Sequence, residues 1–115
     1  MPAFLKATSA PLAAAEIQEL AKNVVEAQGG KLVSMQILPP KDEQRWRQIT
    51  VNVQLTASLA SLKGILYALE ASRPYLFIDN FSARTPPVFL RPGAQTLTEP
   101  ELTVGFDLTG YALKG

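Results

Sequence analysis

Two eight-residue stretches, Ile49-Thr50-Val51-Asn52-Val53-Gln54-Leu55-Thr56 and Leu102-Thr103-Val104-Gly105-Phe106-Asp107-Leu108-Thr109, repeat one strand pattern and share four identities. A period of two is what a strand with one buried face needs, and it fits no helix. A helical pattern precedes each stretch. Between Pro11 and Gln28, the residues Ala13, Ile17, Leu20, Val24 and Ala27 recur at steps of four and three. Ser58 can cap a second helix whose stripe is Leu59, Leu62, Leu66 and Leu69. Glu26-Ala27 near the first helix end matches Glu70-Ala71 near the second, 44 residues later, whereas the strands are offset by 53. The chain therefore reads as one unit used twice, with an insertion in the second copy. Residues 85–100 supply that insertion. Pro86, Pro87, Pro92 and Pro100 forbid a regular ladder there and predict a long hairpin loop.

The remaining punctuation completes each unit. Ser9 can cap the first helix, Pro11 sits where a first turn tolerates it, and Gly29-Gly30 ends it. Lys31 to Leu38 alternates, with Val33, Met35 and Ile37 on one side and Ser34 and Gln36 on the other, until Pro39-Pro40 stops it. Lys41-Asp42-Glu43-Gln44 reads as a polar turn. Pro74 marks the end of the second helix, and Tyr75 to Ala83 reads as a strand from its aromatic and β-branched content. Two helix–strand–strand units pack most simply as an α+β, ferredoxin-like domain in circularly permuted order, αββαββ. Its four-stranded antiparallel sheet carries both helices on one face. The second strand of each unit should be central and the first an edge. The folded domain is expected over residues 11–115, with residues 1–10 as a linker.

Little catalytic equipment exists to place on this frame. The chain has no cysteine and no histidine, which removes thiol chemistry, thiolate metal sites and the commonest general base near neutral pH. Asp79 and Asp107 fall on strands expected to be neighbours, but nothing else would tune or assist a carboxylate pair. Asp42 with Glu43, and Glu99 with Glu101, are ordinary turn carboxylates. Gly29-Gly30 runs into a strand, so it cannot present helix N-terminal amides to a phosphate. A formal charge of +1 gives no broad field for nucleic acid or anionic lipid. Arg45-Trp46-Arg47 joins base and aromatic, yet a lone tripeptide is not a stacking groove, and Trp46 is expected to pack against a helix end. No catalytic residue, cofactor or metal is expected.

What remains is surface. Two helices cover one face of such a sheet, leaving the other face and both strand edges for solvent or a partner. The candidate contact residues are Leu32, Ser34, Gln36 and Leu38 on the first edge, and Tyr75, Phe77, Asp79 and Phe81 on the second. Strand edges and open faces are a standard recognition mode. A regulatory module binding a small molecule is the alternative, since paired domains of this fold often hold ligands between them. It would need a lined polar cleft, where the sequence shows scattered Thr, Asn and Asp. An acylphosphatase-like hydrolase would need an anion-cradling loop, and no segment supplies one.

Leu66-Tyr67-Ala68-Leu69-Glu70-Ala71-Ser72-Arg73-Pro74-Tyr75-Leu76-Phe77-Ile78-Asp79-Asn80-Phe81-Ser82 resembles the central motif of the type II secretion system protein M family, subtype b. Phe4-Leu5 with Ala13-Ala14-Ala15-Glu16-Ile17-Gln18, and the closing Leu102 to Tyr111, are similar to the same family. Glu70 and Arg73 within the motif are spaced to pair at a helix end. The resemblance implies a single-pass bacterial inner-membrane protein whose periplasmic domain has this fold. The present chain would be that periplasmic domain, attached to the membrane only through an N-terminal helix it lacks. The linker at 1–10 would follow the membrane or stalk segment. The resemblance also implies homodimers, pairing with the L component of the secretion platform, and support of protein export through the outer membrane. It carries no catalytic residues. Platform proteins of type IV pilus assembly share the fold and are the nearest alternative.

Overall fold

A computed structural model of the chain describes residue 5 and residues 9–72, 76–85 and 101–113. The expected strand at Tyr75, the Glu70–Arg73 pair, Pro74 as a helix stop, and all of the proline-rich loop but Thr85 fall on residues outside that set.

Helix α1 spans Ala10–Ala27, with Ser9 as its N-cap: the Leu12 amide donates to Ser9 Oγ at 3.4 Å. Its end is closed by Gly29, at φ 86°, in two reciprocal bonds. The Gly29 amide donates to the Glu26 carbonyl at 3.1 Å and the Gly30 amide to the Val25 carbonyl at 2.9 Å. This is the Schellman closure, and it needs a left-handed residue at that position. Helix α2, Leu59–Glu70, is capped by Ser58, whose hydroxyl accepts from the Ser61 amide at 3.2 Å.

The strands are β1 (Lys31–Ile37), β2 (Lys41–Asp42), β3 (Trp46–Ala57), β4 (Phe77–Arg84) and β5 (Leu102–Leu113). They form one antiparallel sheet ordered β1-β3-β5-β4, with short β2 also pairing β3. The central and edge positions are those the duplicated pattern predicts. The fifth strand is a difference: Lys41 and Asp42 lie opposite Gln48 and Arg47 rather than forming only a turn. Arg47 Nε stands 3.1 Å from Asp42 Oδ1 across that pairing.

Both helices pack on the face formed by Ile49, Val51, Val53 and Leu55 of β3 and Val104, Phe106 and Leu108 of β5, all fully buried. The α1 stripe is rotated from the expected one. Ala13, Ala14, Ile17, Ala21 and Val25 are buried, while Leu20 and Val24 pack at its margin and Ala27 is exposed. The alanines explain the rotation, because small side chains let the helix approach the sheet closely. In α2 the buried residues are Leu62, Ile65 and Leu69; Leu59 is exposed.

Within the stretch read as a linker, Leu5 is buried. Its amide donates to the Tyr111 carbonyl at 2.7 Å, and it makes a parallel bridge with Ala112. Since β3 occupies the other side of β5 as far as Leu113, Leu5 continues the line of β4 beyond Phe77. Gly110 makes this arrangement fit: a Cβ there would come 2.9 Å from Leu76 Cδ2 and 3.3 Å from both Ile17 Cδ1 and Leu5 Cδ1.

Phe106→Ala should lower stability by about 3–5 kcal/mol, the usual loss for truncating a buried aromatic. Gly110→Ala should cost about 1–3 kcal/mol by overpacking against Leu76. Urea unfolding followed by circular dichroism measures both, and an unchanged midpoint for either variant would contradict this core.

Candidate docking surface

Each edge strand is interrupted by one extra residue. In β1 the register passes from Leu32 opposite Leu55 to Ser34 opposite Gln54, leaving Val33 as a bulge. Strict alternation puts Val33 on the side of Met35 and Ile37, and Leu32 on the side of Ser34 and Gln36. The extra residue reverses this: Leu32 shares the helix-side face with Leu55 and packs on the core, while Val33 is 64% exposed. Ser34 and Gln36 lie on the open face, opposite Gln54 and Asn52. In β4 the register passes from Asp79 opposite Asp107 to Ser82 opposite Gly105. Asn80 takes φ 53°, a left-handed conformation that asparagine tolerates better than most residues. Phe81 turns toward the helix side and stacks on Phe106 with centroids 6.4 Å apart. Bulges of this kind twist an edge and discourage uncontrolled strand addition.

The face away from the helices is built in rows across the sheet. One row is aromatic. Trp46 meets Tyr111 edge-on at 4.9 Å, and Phe77 meets the other side of Tyr111 at 5.9 Å. Trp46 therefore lies on the open face and not against a helix end, because it keeps the face of Gln48, whose register partner is Tyr111. The next row holds Thr50 and Thr109, whose hydroxyls bond at 2.9 Å. Beyond it lie Gln36, Asn52, Asp107 and Asp79, in order across four strands.

Side-chain amides converge on one carboxylate in that row. Gln54 Nε2 donates to Asn52 Oδ1 at 2.9 Å, and Asn52 Nδ2 donates to Asp107 Oδ1 at 2.9 Å. From the other side Asn80 Nδ2 donates to Asp107 Oδ2 at 2.8 Å. Gly105 leaves room for this, since a Cβ there would come 2.8 Å from Gln54 Nε2. The left-handed turn at Asn80 thus has a use: it brings an amide to Asp107. Asp79, directly across the ladder, has no hydrogen-bond or ion-pair partner among the described residues. A groove of about 530 Å³ runs over the rows, between the corner Leu38-Pro39-Pro40-Lys41 and the rim Asp79-Asn80, with Gln48, Thr50, Asp107 and Thr109 beneath.

The eight residues singled out in the sequence are distributed by this geometry. Ser34, Gln36, Phe77 and Asp79 share the open face; Leu38 forms a groove wall and bonds through its amide to the Thr50 carbonyl at 3.0 Å. Leu32 and Phe81 face the helix side, and Tyr75 lies outside the described residues. The sequence reading missed the amide network, because Asn52 and Gln54 look like ordinary outward residues until register places Asp107 beside them. Among the described residues no group of three or more metal-ligating side chains comes together, and no helix is long and apolar enough to cross a membrane.

Residues 1–112 match the family described as type II secretion system (T2SS), protein M subtype b. The chain is 31% identical over 118 aligned positions to Protein XpsM of Xanthomonas campestris pv. campestris, covering 99% of this chain and 48% of that protein. It thus spans about half the length of that relative. Two solved structures share the fold at 10% identity. The type 4 fimbrial biogenesis protein PilO from Pseudomonas aeruginosa superposes with a TM-score of 0.72 over 91% of this chain and 72% of its own. The core region of PilO from the type IV pilus system of the same organism gives 0.64, over 85% and 91%.

Asp107→Ala should destabilise the domain by about 1–3 kcal/mol, because the Asn52 and Asn80 amides lose their common acceptor. Asp79→Asn should leave stability unchanged or slightly raised, since it removes a like charge directly opposite Asp107. Thermal unfolding of the two variants separates these outcomes; equal losses would refute the division of labour between the carboxylates.

Proposed function

The chain belongs to the type II secretion system protein M family, subtype b, and on that premise we propose that it is the periplasmic domain of an inner-membrane platform protein. In this reading residues 11–115, with Leu5 fastened to the last strand, follow a membrane-spanning segment carried elsewhere in the full-length protein. The domain forms homodimers and binds the periplasmic part of the L component, helping the platform support export of proteins through the outer membrane. It acts by association, without catalysis.

The observation that carries this reading is the family match over a sheet that, among the described residues, has two unpaired edges and one face free of helices. The chemistry of the surface supports it. Val33 and Ile37 on β1, and Phe77 and Phe81 on β4, are exposed apolar side chains on or beside the edges, where a partner would bury them. Of the residues picked from the sequence, Ser34, Gln36, Leu38, Phe77, Asp79 and Phe81 remain in position to contact a partner. Leu32 would contribute through its backbone.

Sedimentation velocity over a range of concentrations should show a reversible dimer. Ile37→Glu and Phe81→Glu should test the two edges separately, and the edge in use should lose at least about tenfold in affinity, or about 1.4 kcal/mol. Titration calorimetry against the periplasmic domain of the L component measures the second partnership. A domain that stays monomeric at high concentration and shows no heat with that partner would end this proposal.

A further inference from the structure

The open-face groove carries a charge arrangement that folding does not explain. Asp79 and Asp107 are directly opposed on neighbouring strands and share one face, a juxtaposition that costs stability. Asp107 is held by the Asn52 and Asn80 amides, which are neutral, so no cation offsets the pair among the described residues. Among the described residues the one cation lining the groove is Lys41, on β2 at the opposite wall, where its register partner is Gln48. Its described lining therefore carries two negative charges against one positive, with the carboxylate of Asp79 at its rim and unpartnered among the described residues.

Beside this carboxylate lies a ring surface. Phe77, two residues before Asp79 on the same face, is half exposed and contacts Tyr111, which in turn contacts Trp46. A carboxylate next to a half-exposed aromatic ring is the setting in which a guanidinium does two things at once. Its planar fork pairs with the carboxylate while its face lies on a ring. A lysine ammonium would satisfy only the first. The half-buried Thr50 hydroxyl in the floor can take a remaining guanidinium donor, since its oxygen has accepting capacity beyond the bond it shares with the buried Thr109.

The geometry points to this groove as a receptor for an arginine side chain presented by a partner protein, with Asp79 as its carboxylate and Phe77 and Tyr111 as its ring surface. Charge complementarity selects the occupant: the described lining holds two carboxylates against one lysine, with Phe77 two residues from Asp79 on the same face, so an acidic segment has no counterpart in it. Asp107 is the positioning residue. By holding Asn80 in its left-handed turn it sets the direction in which β4 presents Asp79. The assignment shares Phe77 and Asp79 with the surface proposed for partner contacts, but a capped peptide reads the groove separately from the sedimentation and calorimetry that read those contacts.

The probe is N-acetyl-Gly-Arg-Gly-amide, titrated into the isotopically labelled full chain and followed by amide chemical shifts. Its citrulline counterpart has the same shape and no charge. With the arginine peptide, shifts should concentrate at Thr50, Asp79, Asn80, Asp107, Thr109 and Tyr111, with a dissociation constant on the order of millimolar. The response should weaken at least about fivefold in high salt, with citrulline and in Asp79→Asn, because screening or removing either charge acts on the same contact. Phe77→Leu should weaken it less, leaving the carboxylate contact intact. The spectra of both variants report directly whether they are folded. Equal responses to arginine and citrulline, persistence in Asp79→Asn, or shifts scattered over the whole surface would each overturn the assignment. So would saturation of the same amides by calcium chloride at concentrations below those of the peptide, which would make the site one for a metal.

Discussion

Everything in this domain hangs on the pairing of β3 with β5. The register holds from Trp46 opposite Leu113 to Ala57 opposite Leu102 without a break. On one face it stacks Val51 on Leu108, Val53 on Phe106 and Leu55 on Val104; on the other it sets Thr50 against Thr109 and Asn52 against Asp107. A slip of one residue in either strand would carry its apolar set to the wrong side. Phe106 would be turned out and Asp107 turned in, away from the amides that hold it. The two faces enforce the same register by opposite means, apolar burial beneath and hydrogen bonding above. The helices, the edges and the groove then take their places relative to a fixed pair.

The central strands were legible because their alternation is unbroken, and the sheet order followed from the duplication. The edges were only partly legible, for a specific reason. A bulge adds one residue without changing the look of the sequence, so Leu32 and Val33 exchange faces although both are apolar and either would suit the core. Phe81 is the mirror case: counted from Asp79 it belongs on the open face, and the extra residue at Asn80 sends it to Phe106. No composition signal marks Val33, whereas Asn80 in a run of strand formers is a residue that accepts a left-handed backbone. Trp46 was misplaced because a lone tryptophan near charged residues is compatible with either face until the strand's register is known. The groove was invisible for a related reason, since its parts come from three separate strands and the Leu38–Lys41 corner.

The likeness to PilO at 10% identity and the family match speak to different levels. The former shows that the same backbone can be reached with almost none of the same residues, and a backbone alone carries no function. What distinguishes one such domain from another is its exposed surface. Here that surface is divided: apolar side chains stand along the bulged edges, while the open face is polar at its centre and aromatic at one end. A partner that lays a strand beside β1 and one that reaches into the groove at Asp79 would use different residues, so those two modes are compatible on one domain.

The bond from Leu5 to Tyr111 gives the domain a mechanical character. Tension applied to the backbone ahead of α1 does not begin by unwinding that helix; it meets first the bridge at Ala112 and the side chain of Leu5 wedged over Gly110. Because the two segments run parallel, the load enters along the axis of the central strand and spreads through its ladders on both sides. Among the described residues that anchor is one bridge and one backbone bond, separate from the ladders that hold the sheet itself together.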